Sequence, residues 1–277
     1  MDEGLAVSSP RWTAAVVLAA LVAVYWDLFG RMAHVWWNHE YAGHGMFVPL
    51  FSAVIAIGDR DRLSKFAERG SWRGLAVIAL GLGLLRAGAA LGSLLLEGLS
   101  VPVVVGGLVL LAFGARTLVR AAFPVAFLGL MVPLPQAVAE AVTIHLQVFA
   151  TNVAGLVLRL FDIPFLRDGV VIELAGVTLQ VAEACNGLRF LIGLVVLTLA
   201  FAQITQDRLW QKLALAGAAV PMAVMANAVR VAGISTAAHF YGPEALGSPH
   251  LLIGKVVWIG TIGGLVALGL GLRRLGA

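Results

Sequence analysis

Apolar residues run along this chain in blocks long enough to cross a bilayer, separated by short polar loops. The blocks begin near residues 12, 44, 74, 98, 118, 187, 213 and 253 and predict eight transmembrane helices. The first, roughly Trp12 to Phe29, has no small-residue cleavage site before Arg31 and reads as a retained anchor. Between Pro133 and Glu183 the pattern changes. Pro133-Leu-Pro135 ends a helix, and residues 136–160 read as amphipathic because Gln136, Glu140, Thr143, Gln147 and Asn152 interrupt the apolar positions. That helix is expected along the outer surface or packed shallowly against the bundle. Gly169–Glu173 and Val177–Val181 alternate, are rich in Val and Ile, and predict a small β-hairpin about Ala175-Gly176, just before Glu183 and Cys185. The expected fold is an all-α polytopic membrane protein with that outer insertion, forming one domain over residues 1–277.

Composition narrows the reading. With 60% hydrophobic and 12% charged residues, the chain cannot be an ordinary soluble enzyme. A net charge of +4 in a soluble protein would raise nucleic acid as a partner, but here the basic residues sort by membrane side. Arg11, Arg60, Arg62, Lys65, Arg69, Arg73, Arg116, Arg120, Arg208, Lys212, Arg273 and Arg274 share one side, whereas the other holds Arg31, Arg159 and Arg167 in its loops. The positive-inside rule then makes both termini cytoplasmic. Membrane lipids are the expected surroundings, and no nucleic-acid partner is implied. Glycines inside the spans, such as Gly81, Gly83, Gly260, Gly264 and Gly269, read as helix-packing positions.

Polar groups at the rim of a span are costly and ask for a reason. Three outer-face places qualify. In Glu183-Ala-Cys185-Asn186-Gly187-Leu188-Arg189, a helix beginning near Cys185 would hold the chain's one thiol at a positive helix end, with Arg189 one turn on. Both favour the thiolate, and Glu183 can pair with Arg189 or Arg230. Asn227-Ala-Val-Arg230 shows one polar face near the end of the seventh span; if that helix ends near Ser235, Arg230 lies within snorkelling range of the rim. His250 precedes the eighth span. A Cys nucleophile, a His acid/base and an Arg for an oxyanion are the set that acyl transfer requires.

The first outer loop adds His34, His39, Glu40 and His44. His39-Glu40-Tyr-Ala-Gly-His44 superficially resembles a zinc-protease motif, but histidines five apart lie about 140° apart on a helix and cannot share a metal. No metal or cofactor is expected. His44 is left with two roles, lining the outer pocket or capping the second span.

These residues resemble a known family. Glu183-Ala-Cys185-x-Gly187-Leu188-Arg189, Asn227-x-x-Arg230, His250-x-x-x-Gly254, Tyr41-Ala-Gly-His44-Gly45 and the Pro-Leu-Pro are similar to the exosortase/archaeosortase family over about residues 40 to 260. The resemblance implies a multi-spanning membrane cysteine transpeptidase of the bacterial form, because archaeal relatives carry arginine where His250 stands. It implies Cys185 as the thioester-forming nucleophile, Arg230 as the oxyanion or substrate-positioning group and His250 as the acid/base. Its implied partners are exported proteins with a carboxy-terminal sorting signal, made of a motif such as Pro-Glu-Pro, a transmembrane helix and a basic cluster, together with an acceptor of unspecified identity. The implied location is the inner (plasma) membrane, with the site on the periplasmic face. Asn186 departs from the family, where serine is common. Two other classes compete: a transporter or channel lined by Arg86, Arg230 and Glu183, and a scaffold of an envelope assembly.

Overall fold

The computed structural model describes residues 10–181 and 187–276. Its helices are α1 (Pro10–Asn38), α2 (Val48–Gly58), α3 (Arg60–Lys65), α4 (Arg73–Leu91), α5 (Leu94–Arg120), α6 (Ala122–Phe127), α7 (Gln136–Leu160), α8 (Gly187–Thr205), α9 (Leu209–Tyr241) and α10 (Ser248–Gly276). Single 3-10 turns at Gly43–Met46, Leu128–Met131 and Gly242–Leu246 join them, and a small sheet of β1 (Leu166–Asp168), β2 (Val171–Leu174) and β3 (Val177–Gln180) follows α7.

The tightest pair, α4 and α5, follows from local sequence. Gly92 takes a left-handed conformation (φ 63°) that closes α4, and Ser93 caps α5 by accepting the Leu96 N–H. Gly74, Gly81 and Gly88 recur every seventh residue along α4. A Cβ on them would stand 2.6 Å from Gly107 O, 2.5 Å from Val104 Cγ2 and 2.6 Å from Glu97 N, so the absence of side chains lets the two backbones meet. Glu97 is 1% exposed and takes both guanidinium nitrogens of Arg31, which also pairs with Asp27 at 3.0 Å. This tie pins α1 to α5, and Tyr25 Oη lies 3.0 Å from Ser100 Oγ one turn further along.

The helices share two distinct ends. At one, α5 begins beside Val132, and His44 meets the Leu130 carbonyl; this is the end to which the chain returns at Gly187. At the other, Thr117 Oγ1 donates to Phe66 O, Arg116 pairs with Glu68 at 2.8 Å, and Arg120 lies over the Phe66 ring. There too, Gln206 and Gln211 donate to the Gly269 and Leu272 carbonyls, tying the α8–α9 turn to the end of α10. The basic residues that the sequence groups on one side fall at this second end.

Among the described residues, six helices are long and apolar enough to cross a membrane: α4, α5, α7, α8, α9 with its following turn, and α10. The chain is therefore a multi-pass, mostly helical membrane protein. Of the eight expected runs, those near 74, 98, 187, 213 and 253 are among these six, and the one from Trp12 lies in the 29-residue α1. The runs near 44 and 118 end in an 11-residue helix and in a 6-residue helix followed by a 3-10 turn. Pro49 stands in the first turn of one piece and Pro124 within the other, and Ser52 Oγ donates to Pro124 O where they pack together at 2.7 Å. The expected outer helix at 136–160 also has the length and mean hydropathy, 1.6, of a crossing helix.

The contacts of α7 explain what that length does. Ala150, Ala154 and Leu158 form one buried cluster with Ile172, Leu174, Val177 and Leu179 of the sheet and with Ala228, Val231, Ile234 and Ala238 of α9. The sheet is antiparallel in the order β1-β2-β3, one strand more than a hairpin, and Leu166 of β1 faces Glu173 of β2. An open sheet edge is not tolerated in hydrocarbon, so this cluster stands beyond the apolar layer. Two further clusters fill the bundle, one among α1, α2, α5, α6 and α8, the other among α8, α9 and α10.

Arg31→Ala leaves the Glu97 carboxylate buried without its cation. A loss of about 2–3 kcal/mol is expected, at the lower end for a buried pair because Arg31 is half exposed. Thermal unfolding of the purified protein in detergent checks this, with Arg31→Met/Glu97→Leu expected to recover most of the loss.

Candidate active site

One cavity of about 880 Å³ opens at the first end of the bundle. Its walls come from the end of α1 and the Gly43–Met46 turn, from the first turns of α8, from α9 through Arg230, and from α10 through His250, Gly254, Lys255 and Trp258. Residues 36 to 258 in sequence thus converge on one space.

Arg230 and His250 are in direct contact, Nη2 to Nε2, at 2.9 Å. A guanidinium only donates, so Nε2 accepts and the ring proton sits on Nδ1. Arg230 thereby selects the tautomer and presents a neutral imidazole to the cavity. The two residues belong to different helices, and a glycine makes their meeting possible. A Cβ at Gly254 would stand 3.3 Å from Arg230 Nε, so Gly254, one turn after His250, leaves the guanidinium its passage across α10. Arg230 precedes the end of α9 at Tyr241 by eleven residues, about 16 Å, so it is not the rim arginine that an end near Ser235 would make it.

Asn227 lies one turn before Arg230, 3% exposed, and its Oδ1 has no hydrogen-bond partner among the described residues. Its amide fits against Gly187, where a Cβ would stand 2.7 Å from Nδ2. The glycines of the Cys185 and His250 motifs therefore do parallel work, each admitting a polar side chain of α9. Arg189 is exposed on the cavity wall, one half-turn into α8. Cys185, Glu183 and Asn186 lie outside the described residues.

His44 lines the cavity and does not cap α2. Its Nδ1 is 3.0 Å from Tyr41 O and its Nε2 3.1 Å from Leu130 O. Trp36 Nε1 donates to the next carbonyl, Met131 O, at 2.9 Å. Pro133-Leu-Pro135 stops the chain from continuing as helix here, and the carbonyls left without intrahelical donors are met by these two rings. A side chain at Gly45 would overlap the Trp36 indole, which accounts for the glycine after His44. Burial pushes the His44 imidazole below the ordinary histidine value, against the pull of the two carbonyls; the neutral ring carries one N–H and donates to one carbonyl at a time, and the Leu130 contact ties the first loop to the turn before α7.

The sequence reading missed the aromatic and cationic lining: Trp36, Trp258, Phe190 and Lys255. The signal was the i, i+4, i+8 spacing of His250, Gly254 and Trp258, which places them on one face. Arg86 is exposed on α4, five residues from its end, and does not line the cavity, so a polar pathway shared by Arg86 and Arg230 does not form. His239 lies in the last turn of α9.

The chain matches the family model of transmembrane exosortases over residues 36–268, a stretch that takes in every wall of the cavity. No curated protein and no solved structure matched it. With helices that cross the membrane repeatedly and a match over most of its length, the protein belongs to the transmembrane exosortase family, generally cysteine transpeptidases that act on sorting signals.

Proposed function

We propose that the protein cleaves carboxy-terminal sorting signals of exported proteins through a thioester at Cys185 and passes the acyl group to an acceptor. The observation that carries this reading is the Arg230–His250 contact on the wall of the cavity, one helical turn from Asn227 and hence from Gly187. Cys185 precedes Gly187 by two residues, and covalent connectivity alone keeps the two Cα atoms within about 7 Å.

The chemistry follows from the donor inventory. In the resting site the His250 Nε2 lone pair is committed to Arg230. A substrate carbonyl entering the cavity offers Arg230 a stronger acceptor as negative charge develops on its oxygen, and Nε2 is released as a base. It takes the Cys185 thiol proton while sulfur bonds to the carbonyl carbon. The tetrahedral intermediate then breaks its C–N bond, the departing amine takes the proton back from His250, and a thioester remains. An acceptor amine or hydroxyl, deprotonated by His250 as it attacks, releases the thiol; water in its place gives proteolysis. Arg189 and Glu183 orient the charged groups, Asn227 supports the start of α8, His44 holds the first loop over the cavity, and Asn186 stands beside the nucleophile.

Location follows the charge distribution. With the basic residues at the far end of the bundle, the positive-inside rule puts the cavity on the outer, periplasmic face of the plasma membrane and both termini in the cytoplasm. The substrate, held in the same membrane by its own helix, presents its motif there.

Cys185→Ala is expected to abolish processing of a co-expressed substrate while leaving the protein's level in the membrane unchanged; continued cleavage overturns the reading. Arg230→Ala should lower the rate about 100- to 1,000-fold, as loss of an oxyanion donor does. Gly254→Val, which displaces the guanidinium without removing it, should cost about tenfold, as misplacement does; single-turnover rates on a purified substrate separate the two. A membrane-impermeant maleimide applied to intact spheroplasts should label Cys185 faster as pH rises, and labelling only from the cytoplasmic side would reverse the orientation.

A further inference from the structure

Arg159 and Arg167 stand on the side of the chain where basic residues are scarce. Arg31, the third loop arginine of that side, is neutralised by Glu97 and Asp27. Arg159 and Arg167 have no carboxylate partner among the described residues. Both line a second cavity of about 270 Å³ at the end of α7, which shares no residue with the one between α1 and α10.

Local sequence builds this cavity. Asn152, Gly155, Leu156 and Arg159 lie on one face of α7, at i, i+3, i+4 and i+7. After Leu160 the chain reverses: Asp162 adopts a positive φ of 53°, and the Ile163 N–H returns to Leu158 O. Phe165 is thereby laid on Gly155, where a Cβ would stand 3.2 Å from its Cζ, and the Arg159 guanidinium lies 5.8 Å from the ring centre. The next residues bring Arg167 back to α7, where its Nη1 donates to Asn152 Oδ1 and its Nε to Gly169 O at 2.9 Å. Both acceptors are neutral, so the guanidinium is held in place with its charge uncompensated and with donors to spare. None of the lining residues is acidic. Two placed cations around one small space call for an anion, and guanidinium forks match the oxygens of a phosphate.

The rim indicates where that phosphate comes from. Leu156, Leu160, Phe161 and Leu166 are 59, 73, 68 and 72% exposed around the two arginines. α7 begins at the first end of the bundle, and its later turns pack on Val231, Ile234 and Ala238, the part of α9 past Arg230. A dissolved phosphate needs no apolar border, whereas a lipid phosphate arrives beside acyl chains that cover one. Nor does the cavity offer a carboxylate to the ammonium of a zwitterionic headgroup.

We propose that this cavity binds the phosphate of an anionic phospholipid, with Arg159 and Arg167 on its oxygens and the exposed leucines and Phe161 in the acyl boundary. The α7–sheet insertion then rests on the leaflet at that end of the bundle. The inference is independent of the chemistry assigned to the other cavity.

The test reconstitutes the full chain in phosphatidylcholine vesicles with a minor fraction of phosphatidylglycerol that carries a photoreactive group near its phosphate, and maps the cross-linked peptides by mass spectrometry. Wild type should be labelled within 152–167, and unlabelled phosphatidylglycerol should displace the probe there at least about tenfold more effectively than phosphatidylcholine, the discrimination that charge-assisted contacts supply. Arg159→Gln/Arg167→Gln should lower this labelling at least tenfold while labelling near Arg273 and Arg274, at the opposite end, stays as in wild type; Arg159→Lys/Arg167→Lys should keep most of it. Leu160→Ser/Phe161→Ser, which leaves both cations in place, should also weaken it. Labelling of 152–167 that survives the glutamine pair overturns the proposal, as does equal displacement by the two lipids or the absence of labelling from that segment. Displacement by inorganic phosphate or glycerol phosphate as effective as by phosphatidylglycerol would make this a site for a soluble phosphate and overturn the lipid assignment.

Discussion

Helix α9 is too long for the membrane it crosses. Its 33 residues extend about 50 Å against a hydrocarbon layer of about 30 Å, so one part must stand in the interfacial or aqueous region. The architecture is arranged around that excess. The last turns, from Ala228 to Ala238, are buried under α7 and the sheet, while the earlier turns pack against α8 and α10 inside the bundle. Asn227 and Arg230 fall where these two regimes meet. That is the depth at which a guanidinium can be screened from lipid and still face a cavity.

Around this mast, the site is assembled by subtraction. Gly187 admits the Asn227 amide, Gly254 admits the Arg230 guanidinium and Gly45 admits the Trp36 indole. Asn227, Arg230 and Trp36 therefore each have a glycine on the neighbouring element that makes room for them. The same economy operates away from the cavity, where Gly88 lets α4 approach the backbone of Glu97 and Arg31 neutralises the buried carboxylate. Carbonyls freed by Pro133-Leu-Pro135 are likewise taken up by His44 and Trp36, so the interruption of one helix becomes the anchor of the first loop.

Much of the site was legible in the residues. Asn227, Arg230, His250, Arg189 and His44 could be singled out because ionisable and amide groups are rare in this chain and each sat at the edge of an apolar run. Their convergence was legible only as a shared membrane side. The lining aromatics were not, since a tryptophan in a membrane helix is unremarkable in sequence and gains meaning only when its neighbours on the face are known. The position of Arg230 was misjudged for a related reason: an apolar pattern shows where a helix can exist, and Ser235 and Thr236 looked like its end, whereas their hydroxyls donate to the Val231 and Ala232 carbonyls within a continuing helix.

The sequence by itself determined the membrane character, the grouping of the basic residues, the interruption of the apolar runs between Pro133 and Glu183 and the small set of candidate residues, because hydropathy and charge act locally and along the chain. Tertiary structure decided which apolar runs are full-length helices, how far α9 extends, that Arg230 donates to His250, and that Lys255 lies at the cavity wall. Those outcomes depend on which faces of separate helices meet, and that is set by close packing between residues far apart in sequence, which no local pattern records.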